Sequence, residues 1–307
     1  MKRLTYKRRA ARLVIVACVL ALGAWLRTLQ PFDNLAAAVP WPWATATLTI
    51  YHAEGAYLFP LSRTVSADTD LPRAAMGELL AGPPPGTGLT SALPPGLALR
   101  TIRVADGVAQ VALAGSADAL REAPLGVAAI VATLTRVTGI TRVALTVGTV
   151  ALTDAAQTMP LLYYPSARGL VAVRTTASDP RAALDAFLAG REPAPLGEGD
   201  FATATSPELT RLPADVRLLG TTFDEKDGLF ALRFAYTSSV RELALERPGQ
   251  MRLLLLGLIA TLTGYPAVRA VQLDFGGQSR LGLGECSDLL RTPQPRPALL
   301  NDERLLR

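Results

Sequence analysis

Apolar and polar positions alternate through residues 99–105 and again through 108–113, on either side of Asp106-Gly107. An Asp-Gly pair between two period-two runs predicts an antiparallel hairpin closed by a two-residue turn. The period then changes. In residues 125–137, Ile130, Val131, Leu134 and Val137 share one face of a helix, and residues 142–147 alternate again as a strand. Upstream, residues 48–51 read as a short strand and 72–80 as a helix, with Asp70 at its N-cap and Gly82 as its stop. Between that helix and the hairpin, Gly82-Pro83-Pro84-Pro85-Gly86 and Leu93-Pro94-Pro95-Gly96 are so dense in turn residues that the segment must connect elements.

The same order then recurs. Ile130-Val131-Ala132-Thr133-Leu134-Thr135 is echoed by Leu258-Ile259-Ala260-Thr261-Leu262-Thr263, Leu48-Thr49-Ile50-Tyr51 by Leu161-Leu162-Tyr163-Tyr164, Leu80-Ala81-Gly82 by Leu188-Ala189-Gly190, and Asp106-Gly107 by Asp227-Gly228. The offset grows along the chain from about 110 to about 128 positions, so the second copy carries insertions, which belong in loops. Its elements are a helix at 181–188, a hairpin of 217–223 with 229–234, a helix at 251–262 and a strand at 269–275. In that second helix Leu254, Leu255, Leu258, Ile259 and Leu262 form one apolar stripe. The predicted fold class is α+β: two tandem small modules, each a mixed or antiparallel sheet with two helices packed on one face, in the order β-α-β-β-α-β. The first module spans 47–150 and the second, divergent one 158–284, followed by an irregular tail, 285–307. Leu299, Leu300, Leu305 and Leu306 give that tail the means to form a short docking helix.

The N-terminus is organised differently. Lys2, Arg3, Lys7, Arg8, Arg9 and Arg12 form a basic tail over 1–12, ahead of an uncharged apolar run that includes Leu13, Val14, Ile15, Val16, Val19, Leu20, Leu22, Trp25 and Leu26. Positive charge stays on the cytoplasmic side, so everything after Arg27 is expected outside the cytoplasm. The run fits either a signal-peptide core or a short anchor. Small residues for cleavage do not follow it closely, which favours an uncleaved single-pass anchor over 13–29. The competing reading is a lipoprotein, with lipid on Cys18 of the lipobox-like Ile15-Val16-Ala17-Cys18. A Pro/Trp linker, 30–46, leads to the first module.

The 31 basic residues outnumber the 26 acidic ones for a net charge of +5, but six of the 31 sit in the tail. The remaining 25 face 26 acids, so the body is almost neutral and no nucleic-acid partner is expected. Two cysteines, Cys18 and Cys286, with one histidine, His52, predict neither an intrachain disulfide nor a metal site. Candidate chemistry is thin. His52 has no serine in a nucleophile-elbow context, although Ser62, Ser66 and Ser91 occur among turn residues. Glu54, Asp68 and Asp70, or Asp224, Glu225 and Asp227, are the available carboxylate groupings, and the second suits a solvated hairpin tip. The glycine-rich segment 82–88 lacks the lysine of a phosphate loop. No catalytic, cofactor or metal residues are assigned, and the chain is read as a non-enzyme.

The run Glu78-Leu79-Leu80-Ala81-Gly82-Pro83, then Gly88-Leu89-Thr90-Ser91-Ala92-Leu93-Pro94-Pro95-Gly96, then Asp106-Gly107-Val108-Ala109-Gln110-Val111-Ala112-Leu113, resembles the GerM domain of sporulation and germination proteins. The second copy is a weaker match: Arg191-Glu192-Pro193 replaces the triple proline, and 201–207 has lost the Leu-Thr-Ser-Ala-Leu-Pro-Pro block. The resemblance implies a fold like that of ring-building modules and a membrane-anchored scaffold acting through protein–protein contacts. Its expected setting is a sporulation complex, the channel between mother cell and forespore, or germination. Implied partners are other membrane or envelope proteins, with homo-oligomers allowed. The alternative is a module that binds peptidoglycan, or an accessory to a cell-wall hydrolase. On either account the contact surface is expected at uncovered strand edges, with 269–275 or its first-module equivalent at an intermolecular contact.

Overall fold

The computed structural model describes residues 45–157, 160–190, 207–276 and 283–306. Most of them belong to one body, Thr47–Val65 with Thr69–Arg307; a second unit takes Met1–Ala46 and Ser66–Asp68, where the Ser66 hydroxyl donates to the Asp68 carboxylate. The expected anchor and Cys18 lie outside the described residues. Among those described, no helix is long and apolar enough to cross a membrane.

Strands β1 (Thr45–Glu54) and β2 (Tyr57–Ser66) lead into helix α1 (Leu71–Ala81). The Asp70 carboxylate accepts the Arg73 amide, Pro72 occupies the first turn, and Gly82 at φ 84° ends the helix. Strands β3 (Ala98–Ala105) and β4 (Val108–Ala114) turn at Asp106 and Gly107, whose φ values of 49° and 73° are the left-handed pair that a tight hairpin needs. Helices α2 (Ala117–Glu122) and α3 (Gly126–Leu134) cross to β5 (Arg142–Val147), which runs parallel to β4, and β6 (Val150–Gln157) closes a sheet of order β3-β4-β5-β6. Hydrogen bonding by Ser116 caps α2.

The second repeat follows the same plan: β7 (Leu161–Pro165), β8 (Leu170–Arg174), α4 (Pro180–Ala189), β9 (Leu218–Asp224), β10 (Leu229–Phe234), α5 (Ser238–Glu246), α6 (Pro248–Leu262) and β11 (Ala270–Phe275). After a 3-10 turn, Gly284–Cys286, come α7 (Asp288–Arg291), β12 (Gln294–Pro295) and a last 3-10 turn, Glu303–Leu305. The sheet order is β12-β11-β10-β9, with β10 and β11 parallel.

The α+β class holds, but the expected element order needs correction. The first strand of each repeat does not join its own module's sheet. It forms a hairpin with a strand not expected from the sequence, and the two hairpins build a third sheet, β1-β2-β8-β7, through the antiparallel pairing of β2 with β8 at Leu58 and Ala172. This middle sheet is buried on both faces. Leu58, Leu161, Tyr163, Leu170 and Ala172 enter the core of the first repeat, while their neighbours Phe59, Leu61, Leu162, Tyr164, Val171 and Val173 enter that of the second. A strand covered on both sides has no polar face, so it reads as an unbroken apolar run without alternation.

The edge expectation also changes. Strand β5 is bonded on both sides, by β4 and β6, and β11 carries β12 against Ala270 and Val271. Among the described residues the sheets end in β1 and β7, β3 and β6, and β9 and β12, and of these outer strands β3 and β9 carry exposed large apolar side chains.

Helix α6 lies so close to β7 that a Cβ on Gly257 would stand 2.3 Å from the Tyr163 carbonyl oxygen, whereas one on Gly249 of the same helix meets nothing within 4 Å. Gly257→Ala is therefore expected to destabilise the protein by about 1–3 kcal/mol, because the neighbour is backbone and cannot give way. Gly249→Ala leaves stability unchanged or raises it by up to about 1 kcal/mol. Urea unfolding of the two variants checks the contrast, and equal effects would contradict it.

Candidate functional site: the junction of the two repeats

The recurring Ala-Thr-Leu-Thr block has a specific use. The buried Thr133 hydroxyl oxygen accepts the Tyr51 amide at 3.1 Å, and that of Thr261 accepts the Tyr163 amide at 2.9 Å. Strands β1 and β7 are the outer strands of the middle sheet, so these threonines take outward-facing N–H groups that no strand takes. The second threonine of each block, Thr135 or Thr263, returns its hydroxyl to a carbonyl one helical turn back, at 2.7 and 2.6 Å. Tyr51 and Tyr163 are thus equivalent. The repeat of the strand block is shifted by one residue from the sequence alignment, which had set Tyr51 against Tyr164.

From the two outer strands the side chains of Tyr51 and Tyr163 reach toward each other, and their hydroxyls meet at 2.6 Å, both residues 0% exposed. Arg136, just past α3, donates from Nε to Tyr51 at 3.2 Å and from Nη2 to Tyr163 at 3.0 Å. In the second repeat the position of Arg136 is taken by Gly264. A second guanidinium arrives instead from the C-terminal segment: Arg296 donates to the Tyr163 hydroxyl at 3.2 Å and to the Ala260 carbonyl at 3.1 Å. Its guanidinium carbon lies 5.7 Å from the centre of the Tyr163 ring. Burial pushes the Tyr51 hydroxyl above its ordinary range. The same burial acts on Tyr163, but the charges of Arg136 and Arg296 outweigh it and hold that hydroxyl below the ordinary value.

The C-terminal segment continues as a strap across the junction. After Leu58 and Ala172, the next residues to come opposite along β2 and β8 are Pro60 and Leu170, and Pro60 has no N–H to give. The Asn301 side chain fills the gap. Its Oδ1 accepts the Leu170 amide at 2.8 Å, and its Nδ2 donates to the carbonyls of Pro60 at 2.7 Å and Leu170 at 2.8 Å. Its own carbonyl accepts the Ser62 amide at 2.7 Å.

A third contact joins the repeats at the hairpin tips. The Ser166 hydroxyl donates to Glu54 at 3.0 Å, Arg168 Nε lies 3.3 Å from the same carboxylate, and Arg168 also donates to the Thr87 carbonyl. Burial raises the Glu54 carboxyl, and the Ser166 and Arg168 contacts work against that rise. The Leu-Thr-Ser-Ala-Leu-Pro-Pro loop that marks the first repeat is therefore held from both sides, since Thr90 and Ala53 also exchange both backbone hydrogen bonds at 2.9 Å. In the second repeat Thr210 donates to Pro165 at 2.8 Å, and proline has no amide to return.

The residues singled out for chemistry are dispersed. His52 is 2% exposed on β1, and its Nδ1 has no hydrogen-bond partner. Burial lowers its pKa to about 4, against the opposing charge of Glu303. Ser62 bonds Thr49 at 2.9 Å, Ser91 bonds the Leu93 carbonyl at 3.0 Å, Asp70 caps α1, and Asp224 accepts the amides of Lys226 and Asp227 in the β9–β10 turn. Cys286 is buried, its Sγ donating to the Pro248 carbonyl at 3.6 Å. No group of three His, Cys, Asp or Glu side chains suited to a metal occurs among the described residues. What the sequence reading missed is the junction set of Tyr51, Tyr163, Arg136, Arg296 and Asn301. The recurring tyrosines were visible in the repeat, but nothing local marked Arg296 or Asn301.

Two outcomes follow from these contacts. Asn301→Ala should cost about 2–4 kcal/mol, since it strands the Leu170 amide and the Pro60 carbonyl. Asn301→Asp should be at least as damaging, because a carboxylate then faces two carbonyl oxygens; chemical denaturation of both variants is the check. His52, neutral when folded, contributes stability that is full above pH 6.5 and is lost as pH falls through about 4, where the folded form also protonates. The loss amounts to about 3 kcal/mol. Stability profiles of the natural chain and His52→Gln should converge as pH falls through this window, and parallel profiles would refute the assignment.

A family profile described as "Germane: Sporulation and spore germination" matches residues 49–150 and 161–280. Among solved structures, the tandem GerMN domains of the sporulation protein GerM from Bacillus subtilis are similar in fold, with a TM-score of 0.59 at 16% identity; the match covers 84% of this chain and 99% of that one. A putative lipoprotein from Clostridium perfringens matches 34% of this chain and 74% of its own at 19% identity, but its TM-score of 0.23 bears no weight. A search of curated proteins finds no match.

Proposed function

Because this chain belongs to the Germane family of sporulation and spore germination, we propose that it serves that process as a membrane-anchored scaffold, its folded body outside the cytoplasm. It holds partners by contact and performs no catalysis of its own. The observation that carries this reading is the contrast between the sealed junction and the open outer strands. Apart from Glu225, exposed at the β9–β10 turn, the residues singled out for nucleophilic or acid–base chemistry and described above are buried or bound to a local partner. By contrast, three of the five large apolar side chains exposed among the described residues, Val104, Leu219 and Phe223, sit on β3 and β9.

Unpaired outer strands with exposed apolar side chains suit strand addition by another envelope protein. The anchor residues, Leu13 through Leu26, supply the address, and the basic tail before them supplies the orientation. Fusing a fluorescent tag to the N-terminus and following starving cells tests site and timing together. Recruitment to the septum and then to the engulfing membrane is expected. A uniform envelope signal, joined with sedimentation of the body on purified cell-wall sacculi, would instead favour a wall-binding module.

The surface itself is tested by a triple variant, Val104→Lys, Leu219→Lys and Phe223→Lys. Its unfolding midpoint should fall only by what the Phe223 ring contact with Phe230 contributes, yet it should lose at least about tenfold in capture of its membrane partner. Undiminished capture would move the contact away from these strands.

A further inference from the structure

Two neutral phenols bring two hydroxyl protons to the junction, and its geometry accommodates one. The proton of one hydroxyl fits in the 2.6 Å contact between Tyr51 and Tyr163. Among the described residues, the other groups within hydrogen-bond distance of the two oxygens are Arg136 Nε and Nη2 and Arg296 Nη2. A guanidinium donates and has no acceptor. If Tyr163 donates to Tyr51, the Tyr51 proton has nowhere to go; if Tyr51 donates to Tyr163, the Tyr163 proton is stranded. Both residues are 0% exposed, so solvent offers no acceptor either. Moreover, neither guanidinium has a carboxylate partner among the described residues, so two positive charges converge with no negative one.

We propose that the pair carries a single hydroxyl proton: Tyr163 is a phenolate held by Arg136 and Arg296, Tyr51 donates to it, and reprotonation of Tyr163 loosens the first anchor of the C-terminal strap. On ionisation the Tyr163 proton leaves to solvent, its oxygen accepts three hydrogen bonds, Tyr51 donates one and accepts one, and the one remaining hydroxyl proton has its acceptor. Tyr163 is the member that ionises because both guanidiniums reach it, while Tyr51 meets Arg136 alone. The charged and titratable groups facing it are Tyr51 from β1, Arg136 from the end of α3 and Arg296 from the strap; α6 contributes the neutral Ala260 carbonyl. The downward displacement of the Tyr163 hydroxyl agrees in direction. Strap docking then has a pH-dependent anchor at Arg296 and a pH-independent one at Asn301.

The test is near-ultraviolet difference absorbance of the detergent-solubilised full chain, folded against urea-unfolded, at about pH 7.5, where free tyrosines are neutral. One tyrosinate equivalent is expected in the folded natural chain and none in Tyr163→Phe. Arg296→Gln should move the titration midpoint of that band up by about one unit or more, and below the midpoint the natural chain should become more open to proteolysis at the strap. Should Tyr163→Phe fail to fold, the natural chain and Arg296→Gln still decide. A folded natural chain with no tyrosinate band below about pH 10 overturns the proposal, as does a band that persists in Tyr163→Phe.

Discussion

The middle sheet is the constraint on which the rest of the structure depends. Four strands, two from each repeat, divide their side chains between two cores, and neither core closes without the other repeat's contribution. Removing either repeat would expose a sheet face made of leucine, valine and aromatic side chains, at a cost of roughly 25 cal/mol for each Å² uncovered. The polar contacts at the junction act on top of this. They fix the register of β2 against β8, and they satisfy backbone groups that a short strand pairing interrupted by Pro60 would otherwise leave buried and open.

What was legible in the sequence was local. The Asp106-Gly107 turn, the Asp70 cap with Pro72, the strand Arg142–Val147 and the apolar stripe of α6 each rest on a pattern within one element, and each stands in the structure close to its expected bounds. Strand β2 was not legible because a proline interrupts it and it is covered on both faces, so neither alternation nor propensity marks it. Helix α2 was passed over because it is short, and α5, as long as α3, because only Val240, Leu243 and Ala244 are buried on it, although Ser116 and Thr237 cap them. Asn301 and Arg296 act on residues as far as 241 and 133 positions away, and no periodicity reports contacts at that distance.

The same distinction explains the family resemblance. The loop after α1 that carries the most specific residues of the first repeat is anchored by Ala53, Glu54 and Arg168, so its sequence records how one repeat is held against the next. The second repeat places Pro165 where the first has Ala53 and Gly264 where it has Arg136. It has lost one half of a backbone exchange and one cation, and the strap restores the cation through Arg296.

Pairing of β2 with β8, and of Tyr51 with Tyr163, is self-complementary: each repeat presents the same surface that it meets. Such a contact closes on itself as a two-fold pair does, unlike the head-to-tail stacking of a solenoid, which leaves an end for the next unit. With the hairpins consumed and the outer amides of Tyr51 and Tyr163 capped by threonine, a third repeat appended to this chain would find no free hairpin to pair with its own. The architecture counts to two and stops.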